Sequence, residues 1–150
     1  EDGRYDFEAR AVDELGLKED FEGNPEASIV VDTEPPTTVV DPLPAETDAT
    51  RFTVSWSGSD EVAGIQYYDV RYRYNDGEWV TWRPKTLVTS DLFSANQGDG
   101  VYDFEARAVD EFGLEEDFLG RPEASILVDA EPPFVVPRTW LPLVVRTYGG

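Results

Sequence analysis

The side chains in this chain that could carry chemistry are carboxylates, because it has 32 Asp and Glu residues and no Cys or His. This composition excludes thiolate metal sites, cysteine nucleophiles and Ser-His-Asp arrangements. Carboxylates gathered in loops can hold Ca²⁺, which takes about six to eight oxygens. The spacing differs from the Asp-x-Asn/Asp-x-Asn/Asp-Gly loop, so we expect a solvated acidic rim, and calcium binding is the alternative. No cofactor is expected. The residues that could bind Ca²⁺ in the alternative lie in two loops expected at one end of the fold, and they are Asp60, Glu61, Asp110, Glu111 and Glu116.

Three aromatic residues offer a second kind of chemistry, a flat surface for sugars. Trp79 and Trp82, together with Tyr67, could form such a surface on a sheet. Trp79 and Trp82 are three positions apart, however, so on one regular strand they would point to opposite faces. At least one of the two is then expected in the core or in an interdomain contact, and a carbohydrate-binding module stays an alternative.

Catalysis and nucleic-acid binding are not expected. Asp110 and Glu111 are neighbours in one loop, whereas acid/base catalysis normally needs opposed groups around a cleft. A small sandwich offers little concavity. The formal net charge of -20 repels nucleic acid and anionic lipid. These observations favour a binding or structural protein over an enzyme.

The acidic loops belong to a repeat with an offset of 97 residues. Residues 2–36 align with 99–133, and 28 of these 35 positions are identical. A period of this size suits a tandem array of whole domains. We therefore expect three parts: a partial unit at 1–35 (the last two strands of a domain), a complete domain at 36–133, and an apolar tail at 134–150.

The complete unit reads as short strands separated by turns, which predicts an all-β sandwich. Alternation places one set of apolar residues on inward faces, and Asn75-Asp76-Gly77 predicts a tight hairpin. A break is expected at Gly58-Ser59-Asp60. The predicted strands cover 37–40, 51–56, 66–74, 78–82, 87–93, 102–108 and 124–129. The predicted core residues are Phe52, Val54, Trp56, Tyr68, Val70, Tyr72, Tyr102, Phe104, Ala106, Ile126 and Val128.

This unit resembles a fibronectin type III domain of the kind found along bacterial surface proteins. The segments that carry the resemblance are FTVSW at 52–56, YDVRY at 68–72 and GVYDFEARA at 100–108, with Gly113 after them. The resemblance implies an immunoglobulin-like β-sandwich in which Trp56 anchors the core and Tyr102 forms a tyrosine corner. It implies almost nothing about activity. The expected fold is thus one complete fibronectin III-like sandwich, preceded by the last two strands of another copy.

The partial unit and the tail are both expected to need a partner. A lone hairpin is marginal in water, and the tail contains Pro137 and Pro142, which exclude a long helix. We expect the hairpin to accept a strand and the tail to donate one. The expected acceptor residues are Tyr5, Phe7, Ala9, Ala11, Ile29 and Val31. The expected donor residues are Val135, Val136, Trp140, Leu141, Leu143, Val144 and Val145.

These expectations combine into an extracellular structural protein, the subunit of a surface filament assembled head to tail by strand complementation. Such heterologous contacts do not close, so they build an open homopolymer. The stretch from Trp140 to Val144 resembles a terminal phrase of many proteins secreted by filamentous bacteria, which supports export. The alternatives are an excerpt of a multidomain surface adhesin or stalk, whose partners are neighbouring domains, or a carbohydrate-binding accessory module.

Overall fold

The computed structural model describes residues 1–130, and within this range the chain forms ten β-strands. Among these residues no helix is found that is long and apolar enough to cross a membrane. The strands are β1 Gly3–Phe7, β2 Ala27–Val31, β3 Thr37–Val40, β4 Glu46–Thr47, β5 Arg51–Ser59, β6 Ile65–Tyr74, β7 Val80–Thr86, β8 Ser90–Ser94, β9 Gly100–Asp110 and β10 Ala124–Val128. The all-β prediction is confirmed.

Strands β3 to β10 form two sheets that share one core. The larger sheet has the order β4-β10-β9-β6-β7, and the smaller one has the order β3-β5-β8. Phe93 of β8 contacts rings of the larger sheet edge to face, with centroids 4.9 Å from Phe104 and 5.2 Å from Trp82. Trp56 of β5 packs against Trp82 at 5.9 Å. Aromatic rings therefore interlock between the sheets, and the packing is sandwich-like.

The hairpin of β6 and β7 follows directly from the local sequence. Tyr68 and Val70 are buried on the inner face of β6, as the alternation predicts. Asn75 and Asp76 both have positive φ, 46° and 56°, which a tight turn of this hand requires. The predicted turn is thus confirmed at the backbone level.

Several strand boundaries differ from the prediction. β5 continues through Gly58 and Ser59, where a break was expected, because β3 pairs with it as far as Ser59. β7 begins at Val80 and β8 at Ser90, both later than predicted. β4 was not predicted, since two residues carry no periodic signal. It pairs in parallel with β10.

Two glutamates join the sheets by bridging β3 and β9. Glu116 accepts a hydrogen bond from Thr38 N through Oε1 at 3.1 Å and from Ala108 N through Oε2 at 3.2 Å. Glu123 accepts one from Ala106 N at 2.9 Å and another from a backbone N–H of β3. Burial raises the pKa of the Glu123 carboxyl. These bonds satisfy backbone donors that neither sheet pairs.

Candidate functional site

The hairpin of β1 and β2 repeats the geometry of β9 and β10. Gly3 pairs with Val31, and Phe7 with Ala27. Adding 97 to each number gives the observed register of β9 with β10. Tyr5 Oη donates a hydrogen bond to a backbone carbonyl four residues upstream, and Tyr102 does the same. The two copies therefore adopt the same local structure.

The copies differ in what covers their apolar face. Tyr5 and Phe7 are 41% and 54% exposed, whereas their counterparts Tyr102 and Phe104 are both 0% exposed. Ile29 is 53% exposed, and Ala9 and Ala11 are also exposed, while Val31 is half-buried. Among residues 1–130, β1 and β2 pair only with each other. The expected acceptor residues thus form an apolar face open to solvent, which we call the open face.

The length of β1 reflects the strand that is absent beside it. β1 ends at Phe7, whereas β9 continues to Asp110 through an almost identical sequence. The extra residues of β9 pair with β6 and have no partner in β10. The corresponding part of the hairpin, residues 8–13, lies along no such strand in the described chain. Strand formation here is decided by pairing and not by propensity.

The outer face of β9 shows which chemistry its neighbour supplies. Glu105 is fully buried, and Arg71 of β6 donates to its Oε2 at 2.7 and 2.9 Å. Arg73 donates to Asp103 at 2.8 Å, and Arg107 donates to a carboxylate of β6. β6 therefore presents two guanidinium groups and one carboxylate to β9.

The corresponding residues of β1 and of the segment directly after it are the same acids and arginine, but their contacts all lie within the hairpin. Asp6 accepts from Ser28 Oγ at 2.6 Å, Glu8 accepts from Gly23 N at 2.8 Å, and Arg10 lies over the Phe21 ring at 4.7 Å. The hydrogen bonds from Ser28 and Arg4 lower the pKa of Asp6. These charges match those that β6 neutralises in the second copy, so the edge of β1 is chemically suited to a β6-like strand.

The expected donor residues, Val135, Val136, Trp140, Leu141, Leu143, Val144 and Val145, lie outside the described residues.

At one end of the sandwich, three carboxylates converge. One ligand oxygen each from Asp32, Asp60 and Asp110 lies within 4.8 Å of the others. Asp60 and Asp110 were among the calcium candidates. Asp32, which follows β2, was missed because its partners are distant in sequence, and an isolated acid in an acidic chain carries no signal.

The oxygens of Asp110 have different surroundings. Oδ1 accepts hydrogen bonds from Phe112 N at 2.8 Å and from Leu114 N at 2.9 Å. Oδ2 accepts none, although the residue is 0% exposed. Asp32 also has a buried Oδ2 without a hydrogen-bond donor. Two buried oxygens are thus left without compensation at this end.

The remaining calcium candidates do not join this cluster. Glu116 uses both oxygens to bridge β3 and β9, as described above. The Glu111 carboxylate lies against Gly64. Glu61 lines a cavity of about 840 Å³ together with Asp32 and Asp60. The structure therefore brings together two of the five candidates.

The electrostatics of the cluster are dominated by like charge. Burial raises the pKa of Asp32, and the nearby carboxylates of Asp60, Asp110 and Asp2 raise it further. Hydrogen bonds from the backbone N–H groups of Ala63 and Val62 lower the pKa of Asp60. The first effect disfavours charge on Asp32, while the second holds Asp60 ionised.

The aromatic candidates do not share one surface. Trp82 packs in the core against Trp56 and Phe93. Trp79 lies under the guanidinium of Arg71 at 4.8 Å, on the outer side of the larger sheet. The Tyr67 ring, also part of that outer side, has Lys85 Nζ at 5.4 Å. A three-ring platform is therefore not formed.

No protein-family model matches the sequence, and a comparison with curated proteins gives no match either.

Proposed function

We propose that this chain is an extracellular structural protein whose β-sandwich units are joined into rods or filaments by strand complementation at the open face. The observation that carries this proposal is the contrast between the two copies. Phe104 is 0% exposed and its counterpart Phe7 is 54% exposed, within the same local sequence and register. An apolar face of this kind is stable in water only when it is covered.

The complement is defined by the second copy. The partner must place a strand along the edge of β1, in the position that β6 takes along β9. Guanidinium groups opposite Asp6 and Glu8 and a carboxylate opposite Arg10 would complete the outer face. Apolar or aromatic side chains would cover Tyr5 and Phe7 on the inner face. Main-chain bonds then give affinity, and alternate side chains give specificity.

A fibronectin III-like identity for the sandwich belongs to this proposal. Two features support it: the buried Trp56 in the core and the bond from Tyr102 Oη to Gly98 O at 2.9 Å. A tyrosine at the start of the penultimate strand, bonded to the backbone just upstream, is the tyrosine corner of such sandwiches. Modules of this type serve as spacers and binding units in surface proteins.

In the filament form of the proposal, the apolar tail at 134–150 of one copy is donated to the hairpin of the next. Donation between opposite ends of two molecules is heterologous and continues without closing. The high negative charge, -20 in all, would keep neighbouring filaments apart laterally.

A second candidate is a unit of a longer tandem array, in which the hairpin is completed by preceding strands of the same chain. The charge pattern favours it, because β6 carries Asp69, Arg71 and Arg73 in the order that β9 requires. The tail has only Arg138 and Arg146, and no acid. A complete preceding unit would supply a β6-like strand together with the facing sheet.

The test is the mass of the full chain in solution across a range of concentrations, measured by light scattering after size exclusion. We expect oligomers that grow with concentration. Phe7→Asp should abolish them, because it buries a charge under the incoming strand. Leu17→Asp is the matched control, since Leu17 is a loop residue that is 69% exposed.

Two further variants separate the candidates. Deletion of residues 134–150 should dissolve the filament if the tail is the donor. An extended variant with residues 36–98 placed ahead of Asp2 restores a full first unit, and in the array candidate it should be a monomer with two cooperative sandwiches. A full chain that stays monomeric at every concentration, with no response to Phe7→Asp, would remove the assembly proposal.

A further inference from the structure

The carboxylates between the hairpin and the sandwich come from segments that are distant in the chain. Asp32 follows β2, Asp60 follows β5, and Asp110 ends β9, yet their ligand oxygens lie within 4.8 Å of one another. Among the residues lining the adjacent cavity of about 840 Å³, six are Asp or Glu and none is Lys or Arg. Such a concentration of negative charge with no basic residue in the lining raises the local concentration of cations.

A separate observation indicates a ligand at this place. Asp110 is fully buried, its Oδ1 is held by two backbone N–H groups, and its Oδ2 accepts no hydrogen bond. The Oδ2 atom of Asp32 is also buried and without a donor. Buried polar atoms are nearly always paired. A metal ion coordinated by both oxygens would satisfy them, whereas a solvated acidic rim leaves the unpaired Oδ2 of Asp110 unexplained.

We propose that Asp32, Asp60 and Asp110 form a calcium-binding site that ties the hairpin to the sandwich. All three ligands are hard oxygens, which excludes a preference for soft metals. Ca²⁺ binds oxygens at about 2.3–2.6 Å, so two of its ligands can lie up to about 5 Å apart. The oxygens of the cluster lie within that limit of one another, and the flexible coordination shell of Ca²⁺ suits ligands from three separate segments better than the near-octahedral shell of Mg²⁺. Other carboxylates of the cavity and water can complete the coordination.

The site has a mechanical consequence. Asp32 belongs to the exit from the hairpin, whereas Asp60 and Asp110 belong to the sandwich. A cation held by all three therefore restricts rotation at the junction, next to Pro36, which is itself fully buried. In an array of these units, the same junction would stiffen the rod. The inference does not depend on assembly, because every ligand is in one chain.

The test is calorimetric titration of the chelator-treated full chain with CaCl₂ at constant ionic strength and at a monomeric concentration. We expect one saturable site with a Kd on the order of 10⁻⁴ to 10⁻³ M, the range of extracellular calcium modules. Asp32→Asn should raise this Kd at least about tenfold, since it removes a ligand charge. Asp110→Asn should do the same, and Asp32→Asn keeps the test valid if the buried Asp110 variant fails to fold.

The repeat provides matched controls. Asp129 and Asp13 are the counterparts of Asp32 and Asp110 at the offset of 97, and both are exposed. Asp129→Asn and Asp13→Asn remove the same charge from nearly the same local sequence and should leave the Kd unchanged. Absence of heat up to about 10 mM CaCl₂ would overturn the site. An equal loss of calcium affinity in Asp32→Asn and Asp129→Asn would also overturn it, because that result indicates diffuse attraction to an acidic chain.

A second readout addresses the junction itself. The chain has no Cys, so spin labels at Glu22→Cys in the hairpin and Glu78→Cys in the sandwich report only that pair. Calcium should narrow the distribution of distances between the labels, and Asp32→Asn should prevent the narrowing. An unchanged distribution at saturating calcium would refute the mechanical role.

Discussion

The repeat allows one substitution to be made in two environments, and Phe7 and Phe104 are the most informative pair. Both residues follow Tyr-Asp and precede Glu-Ala-Arg, and both occupy the same register with the neighbouring strand. Phe104 is 0% exposed and contacts Phe93 at 4.9 Å. Phe7 is 54% exposed. Truncation to alanine at each position therefore separates the effect of packing from that of local sequence.

The two substitutions should lower the unfolding free energy of the sandwich by amounts that differ severalfold. Phe104→Ala creates a cavity between the sheets, and such changes cost about 3–5 kcal/mol of unfolding free energy. Phe7→Ala leaves no enclosed cavity, because its side of the sheet opens to water. Full burial of a phenylalanine is worth about 1.5–3 kcal/mol, so a half-exposed ring contributes at most about 1.5 kcal/mol. That contribution belongs to the hairpin, and its effect on the sandwich should be within about 0.5 kcal/mol.

The assay is urea denaturation at a concentration where the chain is monomeric. Tryptophan fluorescence reports the sandwich, because Trp56 and Trp82 lie in its core and residues 1–35 contain no tryptophan. Amide hydrogen exchange reports the hairpin separately. If Phe7→Ala shifts the tryptophan-detected transition as far as Phe104→Ala does, then the chain covers its own open face, and the reasoning behind strand complementation is refuted.

Three further predictions use the same logic. Tyr102→Phe should lower the unfolding free energy of the sandwich by about 1–3 kcal/mol by removing a buried hydrogen-bonded hydroxyl, whereas Tyr5→Phe should leave it unchanged in the same urea assay. Gly100→Ala should destabilise the sandwich more than Gly3→Ala in thermal unfolding. Both glycines have positive φ, but a Cβ at Gly100 would lie 2.6 Å from neighbouring side chains, whereas a Cβ at Gly3 would meet nothing within 4 Å. Burial raises the pKa of Glu123 in the folded state above the usual 4.5, so ionisation of this residue opposes folding. Relative to Glu123→Gln, the wild-type chain should therefore be most stable below pH 4.5. It should lose this advantage as the pH rises through the raised pKa. A difference in unfolding free energy that is constant with pH would contradict the last prediction.

Local patterns in the sequence were sufficient to predict much of the sandwich. The alternation of Tyr68 and Val70 placed their side chains inward, and Asn75-Asp76-Gly77 predicted a tight turn, which has positive φ at Asn75 and Asp76. Both signals act between near neighbours, so they can be read without the rest of the fold. β4 could not be found in this way, since its two residues form a strand only because β10 lies beside them.

The two candidate sites also differ in how far the local sequence could predict them. The exposure of the open face could be predicted, because its residues alternate along two short segments, 5–11 and 29–31, and their counterparts repeat in the second copy. The acidic cluster was found only in part. Asp60 and Asp110 were expected to lie at one end of the fold, but Asp32 reaches them through the exit from the hairpin. Similarly, β1 is shorter than β9 despite nearly the same sequence, because strand length depends on a neighbour that the local sequence does not specify.

The near identity of residues 2–36 and 99–133 also bears on how the chain reaches its native state. Either hairpin has most of the residues that pair with β6, so we expect the two to compete for the position beside β6 during folding. One of the seven differing positions is Lys18, whose counterpart in the second copy is Glu115. Glu115 pairs with Arg107, whereas Lys18 would repel Arg10, the counterpart of Arg107. We expect this charge reversal to favour the second copy beside β6. If the hairpin of one molecule pairs with β6 of another, a domain-swapped oligomer forms. We expect such oligomers to accumulate during refolding at high protein concentration.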